Sequence, residues 1–353
     1  SETRRHEPSA WPANPFVMPQ RKLRFLPTKA TFNLGQRLGA GTVGVVYQAT
    51  SPDIDVPVAV KILHPAVADD EAIVARFERE VVVTERMRHP HIIGHYGGGF
   101  IDGQLFYAMQ LLEHGSLKDR LKQKGPLPWP QAAAYAAQIA SALQHAHNHG
   151  VIHRDLKPSN LFFKANGDLV LGDFGIARDT HDADISGHGT TVGTYSYMSP
   201  EQITADEQLD GKADLYSLGC VLFEMLTGRL PFIGANFAQV WDQHLHKPPP
   251  SVAEERDIAG RQIDCPVWLS ALITKLMAKD PADRPFNARA VQGMITQHLI
   301  DEFGEEGSRR ITSEVELPSP LLTPERGQAR PWVVAAVLAI VAAVIAAAAA
   351  WGN

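Results

Sequence analysis

The apolar positions of the chain change their rhythm near residue 115. Before it, short runs rich in β-branched residues alternate with turn-like breaks. These runs are TFNLGQRLG from Thr31, VGVVYQAT from Val43, VPVAVKIL from Val56, HIIGHYGGGF from His91 and QLFYAMQLL from Gln104. Runs of this kind predict strands, and SPDIDV between the second and third predicts a turn. One helix is expected among them, over Asp69–Arg88, with Asp69 or Asp70 as its cap and Pro90 just past its end. After Gly115 the pattern turns largely helical. QAAAYAAQIASALQHAHNHG, residues 131–150, predicts a long helix that ends on a glycine. A β-rich part followed by an α-rich part predicts an α+β fold of two lobes with a cleft between them.

The flanks carry no such period. Residues 1–31 are polar and proline-bearing, and predict a flexible leader. Residues 304–331, EEGSRRITSEVELPSPLLTPERGQAR and their neighbours, predict a linker. Trp332–Trp351 is different again: WVVAAVLAIVAAVIAAAAAW holds no charged group, and eight of its twenty residues are Val, Leu or Ile. Twenty residues of helix span about 30 Å, the thickness of a bilayer's hydrocarbon. A transmembrane helix is expected there, with a tryptophan at each interface. Arg309, Arg310, Arg326 and Arg330 precede it, so the positive-inside rule places the preceding domain in the cytoplasm.

Composition narrows the chemistry. The net charge of -6 gives no sign of a nucleic-acid partner. Two cysteines, Cys220 and Cys265, exclude a disulfide framework and suit a reducing compartment. The fifteen histidines are scattered without metal-ligand spacing.

Four short segments carry the candidate chemistry. Gly39-Ala40-Gly41-Thr42-Val43-Gly44 lies between two predicted strands. A dinucleotide-binding glycine motif opens a helix instead. A glycine hairpin between strands can fold over a triphosphate, because backbone N–H groups then approach phosphate oxygens. Behind it stands Lys61 in VAVK, whose ammonium can neutralise phosphate charge if an anion holds it; the expected partner is Glu80 of the following helix. The third segment is His153-Arg154-Asp155-Leu156-Lys157-Pro158-Ser159-Asn160, and the fourth is Asp173-Phe174-Gly175.

With these four segments in order, the chain resembles the eukaryotic-like protein kinase family from about Phe32 to Phe303. HRDLKPSN, DFGIAR and YMSPEQ are similar to those of bacterial, membrane-anchored serine/threonine kinases. The resemblance implies an N-lobe over 32–110, a C-lobe over 111–303, and transfer of the γ-phosphate of ATP to protein serine and threonine hydroxyls. It implies Asp155 as the group that takes or orients the substrate proton, with Lys157 on the γ-phosphate and Lys61 and Glu80 as an ion pair. Asn160 and Asp173 would hold Mg²⁺, or Mn²⁺ in its place. ATP would lie among Leu38, Gly39, Ala40, Gly41, Thr42, Val43, Gly44, Val46, Ala59, Lys61, Met109, Gln110, Leu112 and Phe162. Lys157 and Thr194 go with serine/threonine specificity. Glu201 and Arg284 look like a structural ion pair, and Asp214 belongs to the same framework. Arg154 would receive a phosphate from the activation loop, where Thr190 and Thr191 are the acceptors, passed between two molecules in a transient homodimer on one membrane. One departure is Thr84, four residues after Glu80, where the family carries an apolar side chain; an unpaired buried hydroxyl is expected there. The competing readings are a pseudokinase scaffold on the same fold and a receptor with a sensor beyond the span. Retention of Lys61, Glu80, Asp155, Asn160 and Asp173 argues against the scaffold.

Overall fold

A computed structural model describes residues 32–40, 44–65, 77, 81, 84, 86–101, 103–174, 192–206, 208–312 and 317–318. Five antiparallel strands form the N-terminal part: β1 (Asn33–Ala40), β2 (Gly44–Ser51), β3 (Ile54–Leu63), β4 (His95–Ile101) and β5 (Gln104–Gln110). Their order is β1-β2-β3-β5-β4. Side chains alternate across a strand, and β3 and β5 use both faces. Val58, Val60, Phe106 and Ala108 form a small outer core under Phe32, whose ring meets that of Phe106 edge-on at 5.5 Å. The other face carries Ala59, Lys61 and Leu63 beside Leu105, Tyr107 and Met109, and it looks into the cleft. The register sets Lys61 opposite Tyr107, and Ala59 opposite Met109.

Most of the helix expected over Asp69–Arg88 lies outside the described residues. Phe77, Val81, Thr84 and Arg86 are helical, and the first three are buried. The unpaired hydroxyl expected at Thr84 is corrected: Thr84 Oγ1 donates to the Val81 carbonyl at 3.1 Å. A threonine on a helix can return its hydroxyl to a carbonyl of the preceding turn, so its burial carries no orphan group.

The C-terminal part contains α1 (Leu117–Lys124), α2 (Trp129–Asn148), the hairpin β6 (Leu161–Phe163) and β7 (Leu169–Leu171), a single turn α3 (Pro200–Ile203), α4 (Lys212–Thr227), α5 (Phe237–His246), α6 (Val267–Leu276) and α7 (Ala288–Arg310). Ser116 caps α1 through a reciprocal capping box with Asp119. The α2 helix begins and ends two residues earlier than its sequence pattern suggests, and Gly150 takes the left-handed turn after it at φ 74°. Its alanines at 132, 133, 134, 136, 140, 142 and 146 are buried, and their small side chains let neighbouring elements approach closely. The α4 helix lies in the middle, buried along nearly its whole length.

The linker boundary also moves. α7 runs on to Arg310, with a break at Gly304 (φ 72°, ψ 170°). Ile311 and Leu317 pack against the main core, and the Thr312 hydroxyl approaches Asp168 Oδ1 at 3.4 Å. The pairs Glu305–Arg309 and Glu306–Arg310, four residues apart, support a helix that composition alone reads as linker.

Buried and half-buried histidines make stability depend on pH, and His244 is the one shifted furthest. His244 is fully buried; its Nδ1 meets the Tyr216 hydroxyl at 2.9 Å, and burial, with Lys279 nearby, pushes its pKa down to about 3. The unfolded chain takes up that proton near pH 6.5 and the folded chain does not. Stability is therefore whole above about pH 6.5 and falls below it, by up to about 1.4 kcal/mol per pH unit. Thermal unfolding between pH 7 and 5 should show the decline, and His244→Phe should lessen it, with His89 and His95, both held down at about 4, supplying the remainder. An unchanged slope would refute the assignment.

Candidate active site

The glycine segment joins β1 to β2. At Gly44 a Cβ would stand 2.1 Å from the Ile62 carbonyl oxygen, so packing alone forbids a side chain there. At Gly39 a Cβ would meet nothing within 4 Å. Gly41, Thr42 and Val43 lie outside the described residues. Leu38 and Val46 are half-buried, and Val46 pairs with Lys61 in register. Ala59 is buried, while Met109, Gln110, Leu112 and Phe162 are half-buried around the junction of the two parts.

Two carboxylates face this junction, each held by its own network. Asp155 Oδ1 and Oδ2 receive Lys157 Nζ at 3.0 and 2.8 Å, and Asn160 Nδ2 donates to Asp155 Oδ2 at 3.1 Å and to its carbonyl at 2.8 Å. Asp173 Oδ1 receives Lys61 Nζ at 2.8 Å and the Tyr107 hydroxyl at 2.7 Å. Burial works against ionising Asp173. The Lys61 ammonium, by charge and by hydrogen bond, and then the Tyr107 hydroxyl outweigh it and hold its pKa below the usual carboxylate range. Glu80, the partner expected for Lys61, lies outside the described residues.

The two networks are tied through the backbone. The Gly172 N–H donates to the Asn160 carbonyl at 2.9 Å, and His153 Nε2 meets the Gly172 carbonyl at 3.0 Å. His153 Nδ1 accepts the Asp155 N–H at 3.3 Å, which leaves Nε2 as the ring nitrogen facing the Gly172 carbonyl. Its ring lies 4.9 Å from that of Phe174. Beneath the loop, Asp214 is fully buried and its two oxygens accept the N–H groups of His153 and Arg154, each at 2.9 Å. His147 meets the same carboxylate at 2.7 Å. This brace holds Arg154 at φ 63°, in a left-handed conformation that a non-glycine residue seldom adopts.

The expected pair Glu201–Arg284 is present and two-pronged, at 2.6 and 2.9 Å. Arg284 gives its remaining N–H groups to the carbonyls of Ala278, Lys212 and Lys279. All five of its donors are thus used. Arg154 itself is exposed and has no ion-pair partner among the described residues. Thr190 and Thr191 lie outside the described residues, and the Thr194 side chain is likewise not described.

Sequence reading missed Tyr107, His147 and Gln202, whose side-chain amide donates to the Arg154 carbonyl at 2.8 Å. Only Tyr107 left a signal: a hydroxyl in an apolar run, two residues from Met109 and so on the same face of β5.

A divalent cation fits the oxygens left over. Asn160 spends its amide N–H groups on Asp155, and among the described residues its oxygen accepts only a long hydrogen bond, 3.5 Å, from the Ser159 hydroxyl. Asp173 Oδ2 receives no donor among the described residues. Oxygen is the ligand that a hard cation prefers. Among the described residues no group of three or more His, Cys, Asp or Glu could hold a metal. A cation here would need further oxygens, such as phosphates.

The protein kinase domain family matches residues 32–295, and the chain belongs to that family. It is 40% identical over 257 residues to the serine/threonine-protein kinase PknD of Mycobacterium tuberculosis, covering 73% of this chain and 38% of that protein. It is 36% identical over 291 residues to PknH of the same species, covering 82% of this chain and 45% of that protein. The chain thus spans about two fifths of the length of these relatives. Among solved structures, the kinase domain of Mycobacterium tuberculosis PknI superposes with a TM-score of 0.58 at 27% identity, covering 76% of this chain and 96% of that one.

Proposed function

We propose that this chain transfers the γ-phosphate of ATP to serine and threonine hydroxyls of proteins, as a kinase anchored in a membrane. The observation that carries the reading is the pair of networks at the cleft. One carboxylate, Asp155, is oriented by a lysine and an amide. The other, Asp173, keeps an oxygen open toward the same junction. Phosphoryl transfer needs alignment and dispersal of charge more than a covalent catalyst. The adenine rests among Ala59, Met109, Gln110, Leu112 and Phe162, and the phosphates lie under the Gly39–Gly44 hairpin. Lys61 leaves Asp173 for the phosphates and neutralises part of their charge. Asp155 orients the substrate hydroxyl and accepts its proton, and Lys157 turns from Asp155 to the γ-phosphate. Asn160 and Asp173 would hold Mg²⁺, which supplies charge neutralisation at the phosphate oxygens.

Transfer of labelled γ-phosphate to peptides bearing Ser, Thr or Tyr, followed by phosphoamino-acid analysis, tests the reading. Phosphoserine and phosphothreonine are expected. Phosphotyrosine as the main product, or folded protein that transfers nothing, would overturn it.

The same proposal places Trp332–Trp351 in the bilayer. That segment lies outside the described residues, among which no helix is long and apolar enough to cross a membrane. Confinement to one membrane raises the rate at which one molecule's Thr190 and Thr191 meet another's cleft. A phosphate there carries about -1.5 to -2 charges and pairs with the exposed Arg154. Self-phosphorylation of a protein shortened at Arg330 should then slow on dilution, whereas that of the full chain in vesicles should hold. A rate per molecule that ignores dilution in the shortened protein would refute the exchange.

A further inference from the structure

We propose that Tyr107 is a positioning residue for Asp173, and that it sets how well the site takes a divalent cation. The inference rests on the reading of Asp173 as a metal ligand. Tyr107 lies on β5 directly opposite Lys61 on β3, and is buried. Its ring packs 6.3 Å from that of Phe77 and 5.9 Å from that of His95, and the Lys61 ammonium stands 5.6 Å from its centre. Leu105 and Met109, on the same face of the strand, are apolar. Packing alone asks for a hydrophobic side chain at 107, and a buried tyrosine needs a partner for its hydroxyl. That partner is Asp173 Oδ1, at 2.7 Å.

A tyrosine satisfied in a core would be the bland account. The geometry around Asp173 says more. Oδ1 holds two donors, Lys61 and Tyr107, and they differ in what nucleotide does to them. The lysine ammonium rides on a flexible four-carbon stem and is drawn to phosphate charge. The tyrosine ring has two torsions and is wedged between Phe77 and His95, so its hydroxyl stays. Asp173 itself sits at φ 50°, outside any strand or helix, with no regular structure to fix its side chain. Once Lys61 has moved, Tyr107 keeps the carboxylate turned so that Oδ2 faces the cation.

Binding of a non-hydrolysable ATP analogue, measured by calorimetry with and without Mg²⁺, tests this apart from turnover. Tyr107→Phe removes one oxygen and keeps the ring. It should leave the metal-free nucleotide affinity and the unfolding temperature near those of the parent. The Mg²⁺ concentration that half-saturates the tighter binding should rise roughly three- to tenfold, the usual net effect of one hydrogen bond. Tyr107→Leu, which fills much of the space without a donor, should shift it in the same direction. Unaltered Mg²⁺ dependence in both variants would overturn the proposal. Equal weakening with and without Mg²⁺ would also overturn it, because a purely structural tyrosine behaves that way. Asp173→Asn should abolish the Mg²⁺ effect. If that variant keeps it, the metal-ligand reading of Asp173 falls first and takes the role of Tyr107 with it.

Discussion

Replacing Asp155 by Asn should reduce phosphoryl transfer by about 10²- to 10⁴-fold, the usual contribution of a positioned general base, and should spare nucleotide binding. The carboxylate is half-buried and fixed by Lys157 Nζ at 2.8 Å and Asn160 Nδ2 at 3.1 Å. An amide keeps its shape but loses its charge and nearly all its basicity. On the proposed function the nucleotide is held elsewhere, by the hairpin, Lys61 and the groups around Met109, so its affinity should change little. Single-turnover transfer beside calorimetric binding separates the two effects. Undiminished transfer would remove Asp155 from the proton's path. Equal loss of binding and transfer would mean that the substitution disturbs the loop.

Removing Arg284 should be the most damaging change to stability among those considered. Arg284→Ala takes a guanidinium from a site where it is 3% exposed, and strands Glu201, a carboxylate 8% exposed. Breaking a buried ion pair by removing one partner costs about 3–5 kcal/mol. In a domain of this size that corresponds to a fall in Tm of about 6–20 °C. Lysine should rescue little, because the site uses all five guanidinium donors and an ammonium offers three. The pair also joins α3, at Glu201, to the loop before α7. Thermal unfolding of Arg284→Ala, Arg284→Lys and Glu201→Gln checks this. Tm values within about 2 °C of the parent for all three would show the pair to be dispensable, since that is under 1 kcal/mol.

The β-rich part, the long α2 helix and the chemistry-bearing segments were legible because each is local. Alternation marks β2 and β3, a run of alanines with long apolar residues marks α2, and Lys61, Asp155, Asn160 and Asp173 stand in short ordered strings. Thr84 was misread for the opposite reason. A residue type says that a hydroxyl is present, but its partner, the Val81 carbonyl, is settled only when the helix turns. The end of the folded region was misread because Gly304 and nearby charges look like linker, while Ile311 and Leu317 find a surface made by distant parts of the chain.

By itself the sequence determined the two-part architecture, the family and the set of polar groups available for chemistry, since these depend on periodicity and on short strings of neighbours. The tertiary structure alone decided which of those groups meet. Asp214 lies 61 residues from His153 and Glu201 lies 83 from Arg284, yet each pair is in hydrogen-bond contact. The same holds for Tyr107 and Asp173, 66 residues apart, whose contact follows from strand register on one side and the β6–β7 hairpin on the other. A hydrogen bond is a matter of a few tenths of an ångström. Nothing in the local order of residues specifies a distance across the cleft; the packing of the two lobes does.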